Sequence, residues 1–276
     1  MHRVMYRRSP LRPSNRIRWH GRCGRVTKEG FVAMLRIGTS GWVYKHWRDR
    51  FYPRGVRASD LLSFYAHEFD TVEINYSFYR LPTLENFVAW RDQTPKDFVF
   101  AVKASRYLTH MKKLKDAAPA LEKLFSRAEG LEEKLGPILF QFPAKWPLHL
   151  DRLVPFLELL PPGRRYAFEF RDSTWFAPET FRALEAHDAG LCIADRGGQS
   201  GPLQVTSDFV YVRMHAGRDV SGCYSGTELQ RWADRVEEWT GRGLDVYLYF
   251  NNDWNGFAVM NARQLLENLQ GNPSPD

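Results

Sequence analysis

Eight short apolar runs alternate with longer helical patterns along most of this chain of 276 residues. Their starts are about thirty residues apart on average, which is the length of one strand–helix unit of a parallel sheet. Such runs are typical of parallel strands that are covered on both faces. The runs are LRIGT at 35–39, DTVEIN at 70–75, DFVFAVK at 97–103, GPILFQF at 136–142, RYAFEF at 165–170, GLCIAD at 190–195, FVYVRMH at 209–215 and LDVYLYFN at 244–251.

The segments between the runs mostly have helical patterns with recognisable start residues. Ser59, Asp116 and Ser225 stand where helix N-caps are expected, and Pro178 fits the first turn of a helix. These positions predict helices that begin close to each of the four residues.

Eight strand–helix units without a linker predict a single (β/α)₈ TIM barrel over residues 34–270. The stretch 196–208 has turn-forming residues and no helical pattern, so we expect the sixth helix to be irregular or missing. An open doubly wound sheet is the alternative. It is disfavoured because GTSGW after the first run is not the glycine-rich loop GxGxxG.

The positive charge of the chain is concentrated at its N-terminus. Residues 1–30 hold nine of the 39 basic residues and one of the 32 acids, so the remainder has 30 basic residues and 31 acids. We predict that residues 1–33 are a basic disordered extension and that 271–276 are a short tail. A nucleic-acid-binding arm is one alternative for the extension, and an upstream start codon assigned in error before Met34 is another.

The cysteine pattern, the apolar content and the charge distribution bear on the cellular compartment of the protein and on its partners. Cys23, Cys192 and Cys223 form no CxxC motif and no metal-ligand spacing, which favours a reducing cytoplasm. No stretch of 18 apolar residues is present, so we expect a soluble protein with no membrane partner. The body has no basic stripe, which argues against nucleic acid as a partner except through the extension. The sequence does not indicate an oligomeric state.

Polar residues collect at the C-terminal ends of the runs, which form the active-site face of a TIM barrel. In the second, fifth and seventh runs they are spaced i, i+2, so both members of each pair point into the barrel. The pairs are Glu73 with Asn75, Glu169 with Arg171, and Arg213 with His215. The other polar run ends are Lys103, Gln141, Asp195, Asn251, Asn252 and Asp253.

A closed charge network is the simplest interpretation of any one of these residues. Three cations (Lys103, Arg171 and Arg213) would neutralise three acids (Glu73, Glu169 and Asp195) and close the barrel top. So many polar residues at one rim nevertheless favour a ligand site.

Several long blocks are similar to a known family. The chain resembles the domain of unknown function 72 family, also called YecE-like, over nearly all of residues 35–269. The resemblance implies a TIM barrel and a site, but no reaction. Family members tend to begin near the first strand, and Ala216 stands where the family pattern has glycine. The blocks are GTSGWVYKHWRDRFYP (38–53), FDTVEINYSFYRLP (69–82), FVFAVKASRYLTH (98–110), LGPILFQFP (135–143), FEFRDSTW (168–175), YVRMHA (211–216) and YLYFNNDWNGFAVMNA (247–262).

One hypothesis is a metal-independent, cofactor-free enzyme that acts on an anionic or polyhydroxylated small molecule by general acid/base chemistry. Arg171 and Arg213 would bind a phosphate or carboxylate, and Glu73 or Glu169 would be the base. The predicted catalytic residues are Glu73, Lys103, Glu169, Asp195 and His215. The predicted ligand-binding residues are Trp42, Asn75, Tyr79, Gln141, Arg171, Arg213, Asn251 and Asn252. His110 could also sit near the strand ends, although a loop histidine is usually just solvated.

Two other hypotheses stay open. A divalent-metal isomerase, epimerase or phosphodiesterase would use Glu169, Asp195, His215 and Asp253 as ligands. The two nearby arginines argue against it, because each cation weakens metal binding. A non-enzymatic barrel that binds a nucleotide, RNA or protein is the third, supported mainly by the basic extension.

Overall fold

The structure, a computed structural model, describes residues 33–271. Within this range the chain forms nine strands and seven α-helices. The strands are β1 (Leu35–Ser40), β2 (Thr71–Ile74), β3 (Val99–Lys103), β4 (Leu135–Gln141), β5 (Tyr166–Glu169), β6 (Gly190–Arg196), β7 (Gln199–Ser200), β8 (Phe209–Ala216) and β9 (Asp245–Phe250). The helices are α1 (Leu61–Glu68), α2 (Leu84–Asp92), α3 (Ala118–Ala128), α4 (Leu150–Glu158), α5 (Pro178–Ala186), α6 (Gly226–Gly241) and α7 (Phe257–Leu269).

Eight of the strands close into a parallel barrel. Hydrogen-bonded neighbours follow the order β5–β4–β3–β2–β1–β9–β8–β6, and β6 also pairs with β5. These strands match the eight apolar runs to within two residues at each end. The predicted TIM barrel is therefore confirmed.

The connection from β6 to β8 contains no helix. The chain instead turns back at Gly197 and Gly198, and β7 pairs antiparallel with the end of β6. Both glycines have left-handed backbone angles, with φ of 65° and 77°, which other residues rarely adopt. The prediction of a missing sixth helix is confirmed.

Two of the predicted helix starts are observed. The Ser225 hydroxyl accepts a hydrogen bond from the backbone N–H of Glu228, while the Glu228 carboxylate accepts one from the Ser225 N–H. This reciprocal pair is a capping box, which satisfies two N–H groups at the start of α6. Pro178 is the first residue of α5, as predicted.

The other two predicted caps are wrong. The Ser59 hydroxyl donates to the carboxylate of Asp60 inside a 3₁₀ turn (Ala58–Asp60) that leads into α1. Asp116 lies outside α3, whose N-cap is Ala117. Both helices begin after a stretch of irregular backbone. The polar residue that stands just before the apolar helical pattern in the sequence is therefore not the N-cap.

Apolar side chains fill both sides of the barrel wall. A large cluster lies between the strands and the helices, and a smaller one fills the barrel interior. In the interior, small residues such as Ala101 and Ala167 are packed with Tyr211 and Tyr249. The interior is therefore a packed core, and groups that could meet a ligand lie at the C-terminal strand ends.

The ends of the chain lie almost entirely outside the described part. This applies to the predicted extension, except Ala33, and to the predicted tail, except Gly271. Within residues 33–271, no helix is both long and apolar enough to span a lipid bilayer.

Candidate functional site

Five polar side chains enter the barrel mouth, which we define as the space enclosed by the C-terminal ends of the eight barrel strands. Each follows an interior residue of its strand by two positions, so strand alternation points it inward; for Glu73 that residue is Thr71, whose hydroxyl contacts the interior Tyr249. All five are at most 6% exposed. They are Glu73 on β2, Lys103 on β3, Gln141 on β4, Glu169 on β5 and Arg213 on β8.

Arg213 joins two buried carboxylates. Its Nε and Nη2 donate to the two carboxylate oxygens of Glu73 at 2.9 and 2.8 Å, and its Nη1 donates to Glu169 Oε2 at 2.6 Å. The hydroxyl of Tyr211 donates to Glu73 Oε2 at 2.8 Å. Burial alone would raise the pKa of Glu73, but the charges of Arg213 and Lys103 outweigh it and hold that pKa below its ordinary value.

Glu169 contacts further charged groups through its other oxygen. Oε1 accepts from Arg196 Nη2 at 2.6 Å and from Arg171 Nε at 3.2 Å, and it lies 3.3 Å from His215 Nε2. Burial would raise the pKa of Glu169, yet Arg213 and the His215 hydrogen bond bring it well below its ordinary range. Glu169 is therefore ionised at neutral pH.

The charge balance of the mouth differs from the predicted three against three. The structure does not bring Asp195 into the cluster, because its Oδ2 accepts from Trp232 Nε1 of α6 at 3.1 Å, on the outer side of β6. The next residue, Arg196, points inward instead. Four cations, counting Lys103, Arg171 and Arg213 with Arg196, thus surround two acids. This corrects the predicted neutral set to one with excess positive charge.

Lys103 lies beside an amide and an aromatic ring. Its Nζ donates to Asn75 Oδ1 at 3.1 Å and lies 4.3 Å from the centre of the Phe78 ring. Burial, followed by the charge of Arg213, lowers the pKa of Lys103 to about 8. A lysine with this pKa can exchange a proton near neutral pH.

His110 is a residue whose position at the mouth the sequence left undecided. Its ring packs edge-on against Phe78 at 5.0 Å, and its Nδ1 lies 2.9 Å from the Thr109 hydroxyl. Burial, with the charge of Lys103, lowers its pKa to about 4, so it is neutral at pH 7. It lies on a π-helical turn (Tyr107–Met111) after β3, a type of turn frequent at functional sites.

His215 is held between an amide and a carboxylate. Asn251 Nδ2 donates to its Nδ1 at 3.1 Å, which leaves the ring proton on Nε2, facing Glu169. Burial lowers the pKa of His215 although Glu169 opposes the shift. The imidazole is therefore neutral at pH 7, and its single acceptor nitrogen, Nδ1, is held by Asn251.

Several predicted residues lie away from this cluster. Asn252 donates to Asn261 Oδ1 of α7 at 2.9 Å, and Trp42 is buried edge-on against Trp90 at 5.2 Å. Tyr79 lies on the outer rim and is 69% exposed. Gln141 is inside the mouth, in register with Glu169 on the neighbouring strand.

The alternative metal ligands are not assembled. Only Glu169 and His215 of that set touch each other, and Asp195 faces α6. Asp253 instead accepts from Trp47 Nε1 at 2.6 Å and pairs with His46 at 3.0 Å. In the described part of the chain, no group of three or more histidine, cysteine, aspartate or glutamate side chains could hold a metal ion.

Known proteins that are similar in sequence to this chain share one family designation, UPF0759. UPF0759 protein YunF of Bacillus subtilis is 26% identical over 281 residues, covering 86% of this chain and 95% of that protein. UPF0759 protein YecE of Escherichia coli is 31% identical over 145 residues, about half of each chain. The names of these relatives state a family and do not state an activity.

Solved structures that are similar to this chain agree with its fold. The DUF72 family protein TM1631 of Thermotoga maritima aligns with a TM-score of 0.77 and 30% identity, covering 86% of this chain and 99% of that one. A DUF72 family protein of Enterococcus faecalis aligns with a TM-score of 0.73 at 19% identity, which shows the fold alone. The family model described as protein of unknown function DUF72 matches residues 36–275. The chain therefore belongs to the DUF72 family.

Proposed function

We propose that this protein is a metal-independent enzyme that binds an anionic, hydroxyl-bearing small molecule at the barrel mouth and transfers protons to and from it. The family has no established activity, so the proposal rests on the chemistry of the mouth. We also propose that it works in the cytoplasm, which the free thiols of Cys192 and Cys223 support.

The excess of positive charge is the observation that carries the proposal. The charges of Arg213 and Lys103 balance those of Glu73 and Glu169, so Arg171 and Arg196, which both contact Glu169 Oε1, carry the excess positive charge. Arg171 and Arg196 keep 31% and 38% of their side-chain surface exposed. Each guanidinium has five N–H donors and can bind a phosphate or carboxylate in a bidentate manner.

Proton transfer is assigned to Lys103 and His215. Lys103, with a pKa of about 8, is mostly protonated at neutral pH and can act as the acid. Neutral His215 acts as the base through Nδ1, which the bound molecule reaches by displacing the Asn251 amide. Glu73 and Glu169, predicted as bases, have pKa values lowered by Arg213 and are weak bases, so we assign them to holding the arginines in place.

Amides around the mouth supply the remaining recognition. Asn75 and Asn251 are bonded to Lys103 and His215, and Gln141 is buried beside Glu169. An amide offers both a donor and an acceptor, which suits a hydroxyl or carbonyl on the bound molecule.

Ligand binding can be tested with a thermal-shift screen of phosphorylated and carboxylated metabolites. At about 100 times its dissociation constant, a true ligand should raise the melting temperature of the full chain by about 5 °C or more. The variant Arg171→Ala with Arg196→Ala should lose these shifts, whereas Arg231→Ala, an exposed arginine of α6, should keep them. Unchanged shifts in the double variant would refute the anion site.

Catalysis can be tested on the ligands found, by following solvent deuterium incorporation with proton NMR in D₂O. The wild type should exchange or convert at least one ligand, and Lys103→Met should slow this by about 10²-fold or more while still binding. Binding without any exchange or conversion would favour a non-enzymatic barrel. One equivalent of Mn or Zn in protein purified without chelators, required for activity, would refute metal independence.

A further inference from the structure

A groove lies beside the barrel mouth and takes no part in the cluster described above. It runs between one face of α3 and the segments that follow β2 and β3, and its volume is about 670 Å³. Pockets of about 300–1,000 Å³ are the usual size for small-molecule sites. The lining residues are Arg80, Leu81, Thr83, Ser105, Tyr107, Leu108, Pro119, Ala120, Lys123, Leu124 and Arg127.

The lining contains apolar and cationic residues. Its accessible apolar surface comes from Leu81, Tyr107, Pro119 and Ala120, whereas Leu108 and Leu124 are only 1% exposed. The charged residues of the lining are all cations, namely Arg80, Lys123 and Arg127, and none of the lining residues is acidic. Such a lining favours a ligand that is apolar along its body and negative at one end.

The three cations have different roles. Arg127 Nη1 donates to the backbone carbonyls of Leu81 and Pro82 at 3.1 and 3.2 Å, so it fixes the wall of the groove. Arg80 and Lys123 are exposed and remain available to an anion.

Exposed apolar side chains are frequent in two of the segments that contribute to the groove. Of eleven large hydrophobic residues exposed within residues 33–271, five belong to the stretches 76–84 and 107–111, and one of these, Tyr107, lines the groove itself. A concentration of exposed apolar surface usually marks an interaction site. The five are Tyr76, Tyr79, Leu84, Tyr107 and Met111.

We propose that this groove binds a small amphipathic anion, with an alkyl or aryl body on the surface formed by Leu81, Tyr107, Pro119 and Ala120 and a single carboxylate or phosphate group at Arg80 and Lys123. Ser105 of the groove follows Lys103 of the mouth by two residues, so the bound molecule flanks the mouth. The inference does not depend on the proposed reaction, because it uses none of the residues assigned to proton transfer.

The experiment is calorimetric titration of the full chain with decanoate, decyl phosphate and the neutral analogue decanol. Both anions should bind, and decanol should bind at least about fivefold more weakly. The double variant Arg80→Glu with Lys123→Glu changes exposed residues only, and it should weaken binding of the anions about tenfold. The matched control is the double variant Arg182→Glu with Arg231→Glu, which reverses the charge of two exposed arginines on α5 and α6. It should bind the anions like the wild type.

Three outcomes would overturn the inference. They are no binding of either anion at millimolar concentration, equal binding of decanol, and unchanged anion binding by the Arg80→Glu, Lys123→Glu variant. Binding that is lost in Arg171→Ala with Arg196→Ala instead would place the ligand at the mouth, which refutes the groove and supports the anion site there. Failure of one proposal is thus separable from failure of the other.

Discussion

Arg213 is fully buried and makes three charge-assisted hydrogen bonds to two carboxylates that are themselves fully buried. We predict that Arg213→Met lowers the free energy of unfolding by about 3–5 kcal/mol, because both acids lose their main partner while they stay fully buried. For a domain of this size the melting temperature should fall by about 10 °C. Urea denaturation followed by circular dichroism would measure the change.

Arg171→Met is the matched control for this experiment. Arg171 contacts the same Glu169, but nearly a third of its side chain is exposed. Its replacement should cost at most about 1 kcal/mol, as for other exposed ion pairs. Equal losses in the two variants would contradict the central role of Arg213.

Lys103 permits a prediction on pH. Its folded pKa of about 8 lies below the ordinary value of 10.5, so between these values the unfolded chain holds a proton that the folded chain has released. Stability contributed by this group therefore rises as the pH increases from about 8 to 10.5. We predict that Lys103→Met is more stable than the wild type at pH 7 and that this advantage shrinks above pH 8.

Urea denaturation of both proteins at pH 7, 8.5 and 10 would test the prediction, since the difference between them cancels the titration of other groups. Lys145→Met, at an exposed lysine, serves as the control and should show a difference that does not change with pH. An advantage of Lys103→Met that grows with pH would show that the sign is wrong.

Single residues at the mouth were predictable where polar and apolar positions alternate. Glu73 and Arg213 each follow an inward residue by two positions, so the sequence pattern placed them correctly. The end of β6 has Asp195 and Arg196 in succession, and the pattern cannot tell which one points inward. The answer depends on Trp232, a residue of a later helix that binds the Asp195 carboxylate.

At the level of elements, the two predicted serine caps behave differently. Ser225 is part of a capping box on α6. The Ser59 hydroxyl instead donates to the carboxylate of the neighbouring Asp60. We predict that Ser225→Ala lowers the free energy of unfolding by about 1 kcal/mol, since one helix N–H loses its acceptor. Ser59→Ala should change it by less than about 0.5 kcal/mol. Thermal melts of both variants would measure the two changes in stability. Equal losses would contradict the assignment of Ser225, and not Ser59, as a helix cap.

Elements were predictable to the extent that burial alone determines them. The strands follow the apolar runs because each strand of the barrel is covered on both faces. The π-helical turn at Tyr107–Met111 was not predictable, since it depends on hydrogen bonds one residue longer than those of an α-helix. That turn brings His110 to Phe78 and the mouth, so the sequence did not settle the place of this histidine.

For the whole molecule, the spacing of eight strands was sufficient to predict closure of the barrel. The groove beside the mouth was not predictable, because its lining comes from three segments that no sequence period relates. Arg80 and Lys123 are 43 positions apart in the chain, and only the packing of α3 beside the loop after β2 places both on one groove. The fold and the polar residues at the strand ends can thus be predicted from local sequence pattern. A site beside the barrel mouth, such as this groove, can be found only in the folded structure.

The barrel has its own contacts at the point where the described chain begins. Ala33 is buried, the Met34 N–H donates to Asp245 Oδ1 at 2.7 Å, and the Met34 carbonyl accepts from the N–H of Val246 at 2.8 Å. A chain that starts at Ala33 keeps all of these contacts and changes the net charge from +7 to −1. We predict that its melting temperature stays within about 2 °C of the full chain, a difference below 1 kcal/mol.

Calorimetry of both chains in the same buffer would measure this, with thermal shifts of mouth ligands as a second readout that should also stay unchanged. Any salt-dependent affinity for duplex DNA or RNA should belong to the full chain alone, because the nine basic residues of 1–30 are absent from the shorter one and the remaining body is close to neutral. A melting temperature lower by more than about 4 °C would mean that residues 1–32 stabilise the barrel, contrary to the prediction. Nucleic-acid binding retained by the shorter chain would instead place that affinity on the barrel.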